Sequence, residues 1–133
     1  MIRLVRDFHE KFSLPLGDTD IFMGDNRRVQ EFRINFMREE LDEFEEAIQK
    51  GDKVEAFDAL IDLVYVAMGT ALFMGITPDQ WDTGMNVVHD CNMAKIAVIN
   101  ADDSKRHSLY DVRKPPGWVG PEDHLRRILG WSS

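Results

Sequence analysis

Six acidic side chains crowd into positions 39–46 of the stretch MREELDEFEEAI. On a helix of about 100° per residue, these side chains do not all point the same way. Glu40 lies inside the arc of apolar residues, Glu43 lies at its edge, and Glu39 lies further out. An unpaired carboxylate on a core-facing surface is energetically costly. Glu40 and Glu43 are therefore the first candidates for a site that does chemistry.

The following helical segment carries a second acidic stripe. Residues 59–76 are apolar around nearly the whole helix, yet Glu55, Asp58 and Asp62 fall within about 60° of one another. Like charges gathered at a core-facing surface repel each other unless a cation joins them. Oxygen ligands without a nearby cysteine or histidine pair favour Mg²⁺ or Mn²⁺. The two stripes together predict a site for such a metal.

Each of these carboxylates also has a purely structural interpretation. Glu40 could form a salt bridge with Arg33, which the same helical wheel places nearby. Glu55 could cap a backbone amide at the start of its helix, and Asp58 could interact with the helix dipole. Asp62 has the weakest structural explanation, because it interrupts an apolar helix.

Helices are predicted to position these residues. The four segments are 2–13, about 27–49, about 53–74 and about 77–98. Thr77 and Gln80 have the spacing of a capping box at the start of the fourth helix. No strand is predicted, and from residue 101 onward the chain is polar and contains prolines. The sequence therefore predicts an all-α fold, a four- to five-helix bundle in a single domain over 1–133, with a helical core at 1–100 and an extended C-terminal tail at 101–133.

Composition limits the classes of partner and the cellular location that we expect for this chain. The 133 residues include 16 Lys and Arg against 24 Asp and Glu, a net charge of −8 that disfavours nucleic acid or anionic membranes as partners. Cys91 is the single cysteine, so no intrachain disulfide forms and a cytoplasmic location is expected. The apolar run at 59–76 is nearly long enough to span a bilayer, but Asp62 within it favours a buried core helix.

Several segments together resemble a known family. In chain order they are VRDFHEKF at 5–12, EELDE at 39–43, DALIDLVYV at 58–66, CNMAKI at 91–96 and DVRKPPGW at 111–118. They resemble the all-α nucleoside triphosphate pyrophosphohydrolases, the MazG-like group, and within it the phosphoribosyl-ATP-pyrophosphohydrolase-like subgroup. The resemblance covers most of residues 1–120 and implies a helical bundle of the MazG-like type.

The resemblance implies an enzyme that hydrolyses an NTP or dNTP to the monophosphate and pyrophosphate with Mg²⁺ or Mn²⁺. The implied metal ligands are Glu40, Glu43 and Asp62, together with either Asp58 or Glu55. That alternative stays open because the family's E-x-x-D motif has Ala59 at the glutamate position. Glu39 is the candidate base or hydrogen-bond acceptor, and forms a candidate catalytic set with Glu40 and Glu43.

The same resemblance implies that Asn92 and Lys95 contact the nucleotide. Lys114 and Trp118 are further candidates for substrate binding, through phosphate charge and base stacking respectively. A homodimer or a dimer of dimers is expected, because the three other helices and a polar tail of one subunit are too little to cover a helix that is apolar all round. The alternatives are a phosphoribosyl-ATP pyrophosphohydrolase and a non-catalytic acidic helical scaffold.

Overall fold

The computed structural model describes residues 1–131, so the last two residues of the predicted tail lie outside the described residues. The chain divides into two compact units, Met1–Trp81 and a second unit that begins at Asp82. Its elements, in order, are α1 (Ile2–Lys11), α2 (Arg27–Lys50), α3 (Lys53–Phe73), α4 (Pro78–Met93), β1 (Ile96–Ala97), a 3₁₀ turn (Ala101–Asp103), β2 (Val112–Arg113) and α5 (Glu122–Leu129). The predicted all-α class is confirmed.

A tight connection folds α2 back onto α3. Gly51 ends α2 in the left-handed conformation, at φ +70°, which a glycine adopts without steric penalty. Asp52 then caps α3, because its Oδ1 accepts from the amides of Val54 and Glu55 at 3.0 Å each. Two long helices joined by so short a link lie antiparallel, and the acidic stripes of both are brought to one interface.

The core of the first unit lies between α1 and α3. Ile2 and Val5 from α1 pack with Met68 and Leu72 from α3, and Tyr65 and Trp81 lie against this cluster. Part of α3 is left exposed, including Phe57, Leu60, Ile61 and Val64. Among residues 1–131, α3 alone has the length and composition of a membrane-crossing helix, but core helices of soluble proteins have these properties too.

The fourth helix begins as predicted and ends early. The amide of Thr77 donates to Gln80 Oε1 at 2.9 Å, and the amide of Gln80 donates to Thr77 Oγ1 at 3.2 Å, so the capping box is confirmed. The helix ends at Met93, not near residue 98, so Lys95 is not a helical residue.

The chain after α4 contains two strands and a short helix. The strand β1 lies within the range predicted for the fourth helix, and β2 and α5 lie in the predicted tail. In β1 and β2, Ile96 pairs with Arg113 and Ala97 pairs with Val112, in antiparallel register. The expectation of no strand is therefore wrong, although each strand has only two residues. The helix α5 has acidic residues in its first turn and basic residues in its last turn, the distribution that suits the helix dipole.

Candidate metal centre

Three carboxylates from two helices converge in the first unit. Glu40 and Glu43 come from α2 and Asp62 comes from α3, and one oxygen from each lies within 4.8 Å of the others. Glu40 is buried, Asp62 is half-buried and Glu43 is exposed. Three of the five acids in the two predicted stripes thus meet in space, and their spacing suits oxygen coordination of a small hard cation.

Glu40 is the buried member of this group, and one of its carboxylate oxygens has no hydrogen-bond donor within residues 1–131. Its side chain is only 8% exposed, and its Oε2 has no hydrogen-bond partner among the described residues. Burial is the largest cause that raises the pKa of Glu40 to about 7; repulsion from Glu43 and a side-chain hydrogen bond with it come next, followed by repulsion from Asp62 and Glu39. A buried acceptor without a donor costs free energy, whereas a cation would satisfy this oxygen and relieve the repulsion at the same time.

The salt bridge considered for Glu40 is not formed. Arg33 is itself buried, at 5% exposure, and directs its donors away from the carboxylates. Its Nε donates to Thr70 Oγ1 at 3.1 Å and its Nη2 donates to the Val66 carbonyl at 2.9 Å. The guanidinium also lies 4.6 Å from the centre of the Phe73 ring. Arg33 therefore does not neutralise the three-carboxylate group by a direct ion pair.

The two candidates for a fourth ligand lie beside this group. Glu55 and Asp58 line a pocket together with Glu43, but neither belongs to the trio that meets within 4.8 Å. The capping role considered for Glu55 is not used, because the amide of Asp52 donates to the Ala47 carbonyl at 2.9 Å. The choice between Asp58 and Glu55 stays a prediction.

Glu39 is exposed on α2 and contributes to the raised pKa of Glu40. Its role as a base stays a prediction.

In the second unit, Asn92 is exposed near the end of α4, and its carbonyl accepts from the Lys95 amide at 3.1 Å. Lys95 and Lys114 both lie over the ring of Trp118, with Nζ at 5.3 and 4.9 Å from the ring centre. Three of the four predicted substrate residues are thus gathered in one place.

The sequence interpretation missed a buried polar cluster in which His9 and Arg33 approach Gly69. His9 on α1 is 2% exposed, its Nδ1 donates to the Pro15 carbonyl, and burial lowers its pKa. A Cβ added at Gly69 would lie 2.9 Å from both His9 Nε2 and Arg33 Nη2. The signal available in the sequence was Gly69 inside a helix, which often marks a close approach by a neighbouring group.

Comparison with known proteins gives one family. Residues 5–90 match the family described as phosphoribosyl-ATP pyrophosphohydrolase. The matched range contains all the carboxylates of both acidic stripes, and it ends before Asn92, Lys95, Lys114 and Trp118. No curated protein and no solved structure gives a significant match.

Proposed function

The chain belongs to the phosphoribosyl-ATP pyrophosphohydrolase family, part of the MazG-like all-α superfamily, and from this membership we propose that it is a Mg²⁺-dependent nucleoside triphosphate pyrophosphohydrolase. The substrate is an NTP or dNTP, and the products are the nucleoside monophosphate and pyrophosphate. The observation that carries the proposal is the meeting of Glu40, Glu43 and Asp62, where a buried oxygen of Glu40 has no hydrogen-bond partner in the described part of the chain.

The donor set fits the metal that the family implies. All three groups are carboxylates, the ligands that Mg²⁺ and Mn²⁺ prefer. Burial and then the neighbouring carboxylates raise the pKa of Glu40, and a bound cation would relieve that repulsion. Glu40, Glu43 and Asp62 would hold the ion, with Asp58 or Glu55 as a fourth ligand. A bound ion supplies charge neutralisation for phosphate oxygens and acidifies the attacking water.

The reaction is a hydrolysis across the bond that joins the α- and β-phosphates. A water oxygen forms a new bond to phosphorus, and the P–O bond to the bridging oxygen breaks. One water proton is removed by a base, for which Glu39 is our candidate. Asn92, Lys95 and Lys114 remain our candidates for contacts to the substrate, and Trp118 lies beside both lysines. The products are the same whichever of the two phosphorus atoms is attacked.

A phosphoribosyl-ATP pyrophosphohydrolase is the second candidate, and the family match favours it equally. Both substrates contain a triphosphate, so the carboxylate site serves either. The difference lies in the group attached to the adenine. The third alternative, a non-catalytic scaffold, is disfavoured by family membership and by a buried carboxylate oxygen that no group within residues 1–131 satisfies.

Pyrophosphate release from a substrate panel tests the proposal. The panel contains the canonical NTPs and dNTPs, damaged nucleotides and phosphoribosyl-ATP, each with Mg²⁺. We expect one class to be hydrolysed by the wild type and not by Asp62→Asn. Asp42→Asn is the matched control, because Asp42 is an exposed acid of the same α2 run. Pyrophosphate release from none of the panel would refute the proposal.

We also propose that the chain assembles as a homodimer or a dimer of dimers in the cytoplasm. The support is the exposed apolar surface of the first unit. Leu4 of α1 and Leu60, Ile61 and Val64 of α3 line an almost wholly apolar depression with several neighbours. Apolar surface of this kind on a folded unit is typical of protein contacts.

A further inference from the structure

Two lysines face each other across the small sheet of the second unit. Ile96 of β1 lies opposite Arg113 of β2, in antiparallel register. Continuing that register by one residue places Lys95 opposite Lys114. Side chains of directly opposed residues project from the same face of a β-ladder, and like charges placed there are destabilising. Such an arrangement calls for a compensating group.

The ring of Trp118 is fixed beside both lysines by a turn. The Trp118 amide donates to the Pro115 carbonyl at 3.1 Å, and Gly117 between them has φ +79°. Proline at the second position and a left-handed glycine at the third are the preferences of a type II turn. The indole Nε1 then donates to the Cys91 carbonyl at 2.8 Å. Both ends of the residue are therefore anchored, and the two ammonium groups lie within cation–π distance of the ring.

Two acids of this segment are already paired with arginines. Asp103 pairs with Arg113 at 2.9 Å, and Asp111 pairs with Arg106 at 2.9 Å. Within the described part of the chain, neither Lys95 nor Lys114 has an ion pair with a carboxylate. Two ammonium groups without a carboxylate partner therefore lie over the same ring, in a protein with a net charge of −8.

We propose that Lys95, Lys114 and Trp118 form a binding site for a phosphate anion, with the diphosphate group as its ligand. Two ammonium groups supply positive charge for two phosphoryl groups. The ring serves as an anchor for the lysines, because both ammonium groups lie over it and its N–H is fixed to the Cys91 carbonyl. The proposal rests on the proposed function for the source of the ligand, because pyrophosphate is a product of that reaction and part of its substrate.

Calorimetric titration of the full chain with inorganic pyrophosphate, in EDTA and at low ionic strength, tests the site without the metal. We expect saturable binding by the wild type. Lys95→Gln and Lys114→Gln should each weaken it by about tenfold or more, the size expected for one charge-assisted contact. Lys105→Gln is the matched control, because this exposed lysine of the same unit loses the same charge, and its affinity should change less than about twofold.

Two further measurements make the test independent of folding and of catalysis. Trp118→Phe should weaken binding, because phenylalanine cannot donate to the Cys91 carbonyl. Without ligand, Lys114→Gln should melt no lower than the wild type, since it removes a like-charge repulsion. Binding of adenosine in place of pyrophosphate, or equal affinities across all three lysine variants, would overturn the proposal. If the wild type hydrolyses a substrate but binds no pyrophosphate in this titration, the binding site is refuted and the proposed function is not. If the wild type binds pyrophosphate but hydrolyses nothing in the panel, the proposed function is refuted and the binding site is supported.

Discussion

Arg33 Nη2 on α2 donates to the carbonyl of Val66 on α3 at 2.9 Å. Val66 lies one helical turn beyond Asp62, and Arg33 lies about two turns before Glu40. The bond therefore joins the two helices one layer away from the carboxylates and helps to fix how α2 lies along α3. Gly69 makes this approach possible, because a Cβ at that position would lie 2.9 Å from Arg33 Nη2.

Arg33→Met is expected to weaken metal binding more than it weakens the fold. Thr70 Oγ1 also donates to the Val66 carbonyl at 2.8 Å, so we expect that carbonyl to keep a partner in the variant, which no longer buries a charge without a carboxylate. The helix register is held less firmly, so the affinity for Mn²⁺ measured by calorimetry should fall several-fold, with a small change in melting temperature. Arg38→Met, an exposed arginine on the same helix, is the control. Unchanged Mn²⁺ affinity in Arg33→Met would argue against a positioning role.

Glu40→Gln should stabilise the metal-free protein at neutral and higher pH. The pKa of Glu40 is about 7 in the folded chain, above the ordinary value of about 4.5, so the folded state binds this proton more tightly than the unfolded state. The free energy of unfolding of the wild type should therefore rise as pH falls from about 8 to about 5. A shift of this size corresponds to about 3 kcal/mol as an upper limit.

Urea unfolding in EDTA measures this effect. At about pH 8 we expect Glu40→Gln to be more stable than the wild type, and at about pH 5 the difference should vanish because Glu40 is then protonated. Asp42→Asn should show no such gain. If Glu40→Gln kept the wild-type pH dependence, the titrating group would be another residue.

The sequence predicts the core-facing carboxylates better than it predicts the contacts that hold the helices and strands around them in place. The sequence places Glu40 on the core side because the helical period of apolar residues continues along a helix of 24 residues. A period sustained over so many residues is a strong signal. The capping box at Thr77 is local and needs no tertiary information. By contrast, the bond from Arg33 to Val66 depends on the relative position of α2 and α3 along their axes, which the pattern of either helix alone does not contain. The pairing of Ile96 with Arg113 involves strands of two residues, too short for any recognisable alternation.

Mg²⁺ should raise the melting temperature of the wild type, because an ion that binds only the folded state stabilises it by mass action. Asp62→Asn should abolish that increase and lower turnover by about 100-fold or more. Comparing Asp58→Asn with Glu55→Gln in the same assay identifies the fourth ligand as the residue whose loss also removes the increase. Full turnover of the wild type in excess EDTA would contradict the whole metal hypothesis.

Val64→Lys is expected to break the assembly while leaving the carboxylate site in place. Val64 is 46% exposed, lines the apolar depression between α1 and α3, and lies about 160° around α3 from Asp62. A lysine there would place a charge in an interface that excludes water, which costs free energy unless the charge is paired. Light scattering at micromolar concentration should show a dimeric or larger wild type and a monomeric Val64→Lys. Val64→Ala keeps the surface apolar and should keep the wild-type mass. A monomeric wild type would refute the assembly proposal, and a Val64→Lys variant of unchanged mass would place the interface on another face.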